Sequence, residues 1–261
     1  MQKEVLIIIP AYNEEKNISK VLDRLEQPEI AEFADILVMN DASSDNTNWI
    51  VKARHHAVVT HVFNLGYGSA LQLGYKYAIR CNYRYVIQMD ADGQHDAGNL
   101  INLYRALKTP DENGVYPDIV LGSRYLNDSP YFETSALKRF AFFLFRHIIK
   151  WSTGRTIMDP TTGLQGLSRR AALCYSKFGN FDEKYPDANM ITNMLLSDFN
   201  IVEIPAVMHL RAHGKSMRSG LKPIGYMFHM FFSILAVLIR QKIFKNVPKA
   251  ERYNNDIQKT Q

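Results

Sequence analysis

The sequence predicts an α/β fold whose mostly parallel sheet is sandwiched by helices, and three observations carry that reading. Over the first 125 residues, short β-branched runs alternate with longer stretches of helical spacing, the pattern of βαβ units. The run Val5-Leu6-Ile7-Ile8-Ile9 is apolar throughout, as a strand covered on both faces must be. Each such run ends in a polar loop of specific composition, and parallel sheets bind ligands outside the carboxyl ends of their strands.

Taken in order, strands are expected at residues 5–9, 36–40, 57–63, 85–89 and 119–122, with helices at 15–26, 45–55, 68–81 and 98–107. Beyond residue 125 the pattern changes. Leu137, Phe140, Ala141, Leu144, Ile148 and Trp151 recur at helical spacing, interleaved with Lys138, Arg139, Arg146 and Lys150. Phe142, Phe143 and Phe145 widen the apolar face, so 135–152 resembles an interfacial amphipathic helix. A helix at 189–196 and a strand at 201–207 follow, then an apolar run at 224–239 bracketed by Lys222 and Arg240. The expected organisation is a 1–210 domain, a basic loop plus apolar helix at 211–250, and a polar, frayed tail at 251–261.

A chain of 261 residues with 46% hydrophobic and 22% charged residues has the composition of an ordinary globular protein. Cys81 and Cys174 are too few and too far apart for a disulfide framework or a zinc site, and read as buried thiols of a reducing compartment. The first apolar run is too short for a signal peptide and follows Glu4. The net charge of +5 is uneven: residues 204–250 hold no Asp or Glu, while Arg211, Lys215, Arg218, Lys222, Arg240, Lys242, Lys245 and Lys249 are basic. An anionic partner suits that segment. Nucleic acid is not expected, because the aromatics there form one apolar helix instead of alternating with basic residues as a stacking platform would.

Four loops are expected on one sheet edge: Pro10-Ala11-Tyr12-Asn13-Glu14, the segment from Asn40 and Asp41 to Thr47, Asn64-Leu65-Gly66-Tyr67-Gly68, and Asp90-Ala91-Asp92-Gly93-Gln94-His95. Asp90 and Asp92 offer hard oxygen ligands two residues apart, suited to Mg²⁺ or Mn²⁺ that keeps room for substrate phosphates. Such a cation would neutralise a diphosphate leaving group. Ser44 or Asp45 can cap the following helix, leaving Asp41 to bond a base or ribose. The glycine-rich Asn64–Gly68 turn is open between a flexible connection and an anion cradle.

These loops resemble family 2 glycosyltransferases of the GT-A fold. Gly122-Ser123-Arg124-Tyr125, Asp159-Pro160-Thr161-Thr162-Gly163 and Arg211-Ala212-His213-Gly214-Lys215-Ser216 resemble the dolichol- and polyprenyl-phosphate sugar synthase branch, closest to bacterial members in polysaccharide assembly. The resemblance implies that Pro10, Ala11, Tyr12, Asn13, Glu14, Asn40, Asp41, Asn64, Gly66, Asp90, Ala91 and Asp92 hold a nucleotide-diphosphate sugar. It implies metal ligation by Asp90, Asp92 and Gln94, and catalytic roles for Asp92, Arg124, Arg211 and Lys215. Arg139, Arg211, Lys215 and Ser216 are expected around an acceptor phosphate. Three positions depart from the pattern: Asn40 in place of a first Asp, Leu164 after the Asp-Pro-Thr-Thr-Gly segment, and Met217.

The activity so implied is inverting sugar transfer, from a donor expected to be UDP-linked, to undecaprenyl monophosphate at the cytoplasmic membrane face. A lipid monophosphate is already anionic near neutral pH, its second pKa being about 6, and needs no strong base. Asp187 has two readings: the base for a hydroxyl acceptor on a growing glycan, or the start of the helix after Pro186; the second is preferred. Residues 224–239 are short for a span of about 20 apolar residues. A buried core helix is one reading; the preferred one is a helix on an anionic membrane surface, with room for a small membrane-protein partner. A nucleotidyltransferase would need a glycine-rich signature where Pro10–Glu14 stands, and a non-catalytic nucleotide-sugar scaffold would tolerate loss of Asp92.

Overall fold

β1 (Val5–Ala11) is buried along its whole length and organises the rest of the chain. The computed structural model describes residues 2–126, 136–209, 222–243 and 249–258. After β1 come α1 (Ile18–Leu25), α2 (Pro28–Ala31), β2 (Ala34–Asn40), α3 (Thr47–Ala53), β3 (Ala57–Thr60), α4 (Tyr67–Arg80), β4 (Tyr85–Gln88), α5 (Ala97–Leu107) and β5 (Ile119–Ser123). The second half adds α6 (Ala136–Thr153), β6 (Gln165–Ser168), α7 (Arg169–Ser176), α8 (Ala188–Leu196), β7 (Ile201–Pro205), α9 (Lys222–Ile243) and α10 (Ala250–Gln258).

The strands form one sheet in the order β3-β2-β1-β4-β6-β5-β7. β1 pairs in parallel with β2 and β4, β2 with β3, and β5 with β7, whereas β6 runs antiparallel to β4 and β5. All strands but β6 therefore point the same way, and their carboxyl ends define one edge. The strand period of two sorts the core onto two faces. Leu6, Ile8, Leu37, Met39 and Val86 pack with α4, α7, α8 and α9, while Val5, Ile7, Ile9, Val38 and Ile87 pack with α1 and α5. This is the predicted mostly parallel, doubly covered GT-A-like sheet.

Three elements depart from the expectations. β6 carries a glycine and two polar residues, and its short, fully paired run lacks a strand-like alternation. α2 has no counterpart among the expected elements. The frayed tail is corrected as well: α10 buries Ala250 and Tyr253, and the Tyr253 hydroxyl accepts from Asn180 Nδ2 at 2.8 Å. A tail so polar orders because one aromatic and one small residue find the α7 surface.

α6 and α9 divide their apolar residues between core and solvent. In α6, Ala141, Phe142, Phe145 and Ile149 are buried while Phe143 and Trp151 are exposed. In α9, Tyr226, Met230, Ile234 and Leu238, four residues apart, face the core, and Phe228, Phe231, Phe232, Leu235 and Ile239 face outward. The core-helix reading of α9 holds on one face, while the opposite face is apolar and exposed. Among the described residues no helix is long and apolar enough to cross a membrane. Cys81 and Cys174 form no disulfide; Cys81 is half-buried where a buried thiol was expected, and burial pushes the Cys174 thiol up to about 11, which disfavours its thiolate.

Candidate active site

The four loops meet. A cavity of about 670 Å³ at the carboxyl edge is lined by Pro10, Ala11, Tyr12, Asn13, Glu14, Asp41, Asn64, Gly66, Asp90, Ala91 and Asp92, eleven of the twelve residues expected to hold the nucleotide-sugar. Its size is that of a small-molecule site.

The β1 and β2 loops are laced together. Asn13 takes a left-handed backbone (φ 55°), and its N–H donates to Ser43 Oγ at 2.9 Å while its side chain accepts from Ser44 N–H at 2.9 Å. Glu14 N–H donates to Thr47 Oγ1 at 2.8 Å and Glu15 N–H to Asp45 Oδ2 at 3.0 Å. Burial raises the Asp45 carboxyl, but the bonds from Thr47 and Glu15 outweigh it and hold it below its ordinary value. The expected cap is realised locally: Asp45 Oδ1 accepts from Thr47 N–H at 3.0 Å.

One expected nucleotide contact is corrected. Asn40 does not line the cavity; it is buried, with its amide donating to Thr60 Oγ1 at 3.3 Å and accepting from Ser43 N–H at 3.2 Å. Asp41 does line the cavity, and its carboxylate also bonds within the fold. Its oxygens accept from Leu65 N–H and Gly66 N–H at 2.8 Å each, and His61 Nδ1 lies 2.7 Å away. A carboxylate has about four acceptor positions, so most of Asp41 is spent folding the third loop over the cavity. That settles the Asn64–Gly68 turn as an anchored one.

Gly66 (φ 97°) occupies a conformation that suits glycine, and Gly68 sits where a Cβ would come within 2.1 Å of Asp182 O. The backbone of 182–183 therefore presses directly on the start of α4, and Ser69 N–H donates to Glu183 O at 3.2 Å. Tyr67 stands between these glycines and lines the cavity, a residue sequence reasoning did not select. Its hydroxyl donates to Asp90 Oδ1 at 2.9 Å. Burial first, then the Asp90 and Asp187 carboxylates, keep this phenol protonated well above its usual range.

Asp90 and Asp92 follow β4. Asp92 is buried and its Oδ1 accepts from Gln94 N–H at 3.0 Å, a local turn that aims the loop. His95 Nε2 lies 3.6 Å from Asp90 Oδ2, and among the described residues neither ring nitrogen of this buried imidazole finds a hydrogen-bond partner. Gln94, expected as a metal ligand, does not line the cavity; its amide nitrogen donates to His209 O at 3.2 Å, tying this loop to the chain after β7. Among the described residues no three acidic, histidine or cysteine side chains form a complete metal cage. A partial set of two carboxylates fits Mg²⁺ or Mn²⁺, which takes its remaining ligands from water and substrate phosphates.

The remaining expected site residues scatter. Arg124 lies outside the cavity lining, with a bidentate pair to buried Asp159 (2.7 Å at both nitrogens) and a bond to Thr161 at 3.1 Å. Its guanidinium braces the Asp159–Gly163 loop. Asp187 is at the N-terminus of α8, but its side chain makes no capping bond; Oδ2 instead accepts from Tyr226 of α9 at 2.7 Å. Asp187 thus stands at the start of the helix as preferred, but its carboxylate links two helices instead of capping one. Arg139 is exposed on α6. Arg211, Lys215 and Ser216, with Met217, lie outside the described residues. Leu164 is fully buried against Gly122, where a Cβ would come within 2.6 Å of it, so the departure is a packing choice.

A GT-A-like sheet with paired aspartates at the end of its fourth strand defines a nucleotide-sugar enzyme architecture. Residues 6–175 match the family model described as glycosyl transferase family 2, and the chain belongs to that family. It is a glycosyltransferase whose relatives include enzymes named for dolichyl or polyprenyl phosphates. One, the UDP-N-acetylglucosamine–dolichyl-phosphate N-acetylglucosaminyltransferase of Methanococcus voltae, is 26% identical over 65% of this chain and 71% of its own. Another, the polyprenol monophosphomannose synthase of Mycolicibacterium smegmatis, is 27% identical over 84% and 82%. In structure the chain is similar to glucosyl-3-phosphoglycerate synthase of Mycobacterium tuberculosis, solved with Mn²⁺, UDP-glucose and phosphoglyceric acid. The TM-score is 0.64 at 20% identity, covering 92% of this chain and 79% of that one, a likeness of fold.

Proposed function

We propose that this enzyme transfers a sugar from a UDP-linked donor to a polyprenyl monophosphate, with inversion, at the cytoplasmic face of a membrane. The observation that carries the donor half is the charge of the cavity. Glu14, Glu15, Asp41, Asp45, Asp90 and Asp92 line it against one lysine, Lys16. A diphosphate is repelled by such a wall unless a divalent cation accompanies it. Asp90 and Asp92 would hold Mg²⁺ or Mn²⁺, which would supply Lewis-acid stabilisation of the departing diphosphate. Tyr12, half exposed at the rim, offers a face to the base, and the Asn64–Gly66 turn closes the cavity from the β3 side.

The acceptor half rests on α9 and the segment before it. Phe228, Phe231, Phe232, Leu235 and Ile239 form an exposed apolar face on a helix that is not long and apolar enough to cross a membrane, which suits lying in a membrane surface. Arg211, Lys215 and Ser216, with Arg139, would gather the acceptor phosphate beside that surface. Burial of Asp187 and its bond to Tyr226 favour a phosphate nucleophile over a hydroxyl that needs a base. The role belongs to cell-surface glycan assembly, with a small membrane-protein partner as the companion on the α6 and α9 faces.

The test supplies purified protein and Mg²⁺ or Mn²⁺ with a panel of nucleotide-sugars and undecaprenyl phosphate in vesicles, and follows sugar into lipid. Lipid-linked sugar that disappears with chelator and with Asp92→Asn is expected. Sugar appearing on no lipid with any donor overturns the acceptor assignment.

A further inference from the structure

We propose that Tyr67 is a positioning residue for Asp90, fixing the rotation of that carboxylate in the cavity wall so that it meets a divalent cation ready-oriented. The inference rests on the reading of Asp90 as a cation ligand and goes beyond it by assigning the device that holds the ligand in place.

Three described neighbours converge on Asp90. The Tyr67 hydroxyl donates to Oδ1 at 2.9 Å, and His95 Nε2 lies 3.6 Å from Oδ2. The backbone of Gly163 closes in as well: a Cβ there would lie 2.8 Å from Oδ2, 3.1 Å from Oδ1 and 3.2 Å from the Tyr67 oxygen. Gly163 is itself pinned, since its carbonyl accepts from Gln88 Nε2 at 3.0 Å, and Gln88 accepts from the buried Tyr75 hydroxyl. The carboxylate thus sits between a phenol and a glycine that leaves it room.

Tyr67 has little freedom of its own. Gly66 N–H is bound to Asp41, and Gly68 is pressed against the Asp182 backbone, so the chain is held on both sides of it. A tyrosine needed only to fill space would do so equally well as phenylalanine. Here the hydroxyl meets Asp90, a carboxylate that lines the cavity and whose side chain remains about a third exposed. Pre-orienting a metal ligand through a second hydrogen-bonding residue is a general means of raising metal affinity.

The experiment measures Mn²⁺ binding by electron paramagnetic resonance of the free ion, with UDP saturating, and UDP binding by calorimetry with Mn²⁺ or EDTA. It uses the full chain, as wild type, Tyr67→Phe, Asp90→Asn and Gly163→Ala. The expected result is about tenfold or greater loss of Mn²⁺ affinity in Tyr67→Phe, with UDP affinity in EDTA unchanged, a split that a merely structural role would not produce. Gly163→Ala, which keeps the hydroxyl but pushes on Oδ2, should show the same loss and serves if Tyr67→Phe does not fold. If Asp90→Asn loses Mn²⁺ while Tyr67→Phe and Gly163→Ala bind it as wild type does, the positioning role is overturned and the metal reading stands. If Asp90→Asn binds Mn²⁺ undiminished, the metal reading falls and takes the role of Tyr67 with it.

Discussion

Asp187 precedes α8 yet turns its carboxylate away from that helix, accepting the Tyr226 hydroxyl of α9 at 2.7 Å. The pair fastens the helix with the exposed apolar face to the segment that presses on the start of α4. Asp187→Asn and Tyr226→Phe should each lower stability by about 1–3 kcal/mol, as removal of one partner of a buried bond does. In chemical denaturation the double variant should fall short of additivity by at least about 0.5 kcal/mol. Strict additivity would remove the link. Asp187→Asn should keep metal-dependent UDP binding.

Gly68→Ala forces a methyl group into the Asp182 and Glu183 backbone, which would lie 2.1 to 2.7 Å away. Backbone cannot swing aside as a side-chain tip can, so destabilisation at the upper end of the overpacking range, about 3 kcal/mol, is expected. Because Tyr67 is the preceding residue, UDP affinity should drop alongside the melting temperature. A variant that melts as wild type does would contradict the close approach.

Asp41→Ala strips the partner from two backbone amides in the third loop. Hydrogen exchange at Leu65 and Gly66 should accelerate sharply while β1 amides stay protected. UDP binding should weaken because the loop no longer holds its cavity-closing form. Unchanged protection at both amides would restore Asp41 to a direct nucleotide role.

Burial, joined by neighbouring carboxylates at Tyr67 and by the Tyr175 phenol at Tyr75, raises both tyrosines well above their ordinary range. In the unfolded chain these phenols ionise near about 10. The folded state keeps its protons longer, so their contribution to stability is intact below that pH and is lost as pH rises from there through the folded-state values. Phenolate absorbance should therefore lag behind a free-tyrosine titration until the fold gives way. Full ionisation of all tyrosines in folded protein at pH 11 would refute the burial.

Tyr253→Ala tests whether α10 belongs to the core. Loss of a buried aromatic ring costs about 3 kcal/mol or more where the site cannot collapse. Thermal melting should register that, while a truly frayed tail would leave the melting temperature unmoved.

The donor side is legible in the sequence because the placement of each loop is local. A polar loop follows each apolar strand, so knowing the strands is enough to place Pro10–Glu14, Asn64–Gly66 and Asp90–Asp92 on one edge. What escapes is whatever depends on partners distant in the chain. Tyr67 gains its meaning from Asp90, twenty-three positions away, and Asp187 from Tyr226, thirty-nine away. Asp41 and Gln94 were placed correctly in the chain, but competing backbone groups claim their side chains. β6 hid because its pairing on both sides, not its composition, makes it a strand.

The reversed direction of β6 has a consequence for how the enzyme can change. An antiparallel strand begins where its neighbours finish, so the loop leading into β6 delivers Gly163 to the same rim as Asp90. A carboxylate of the cavity wall is thereby packed by a segment encoded some seventy residues downstream of it. Recombining the first half of this chain with the second half of a relative would separate that carboxylate from its packing partner. Such hybrids should survive only where the glycine, the phenol and the carboxylate arrive as a matched set, which makes the two halves inherit together.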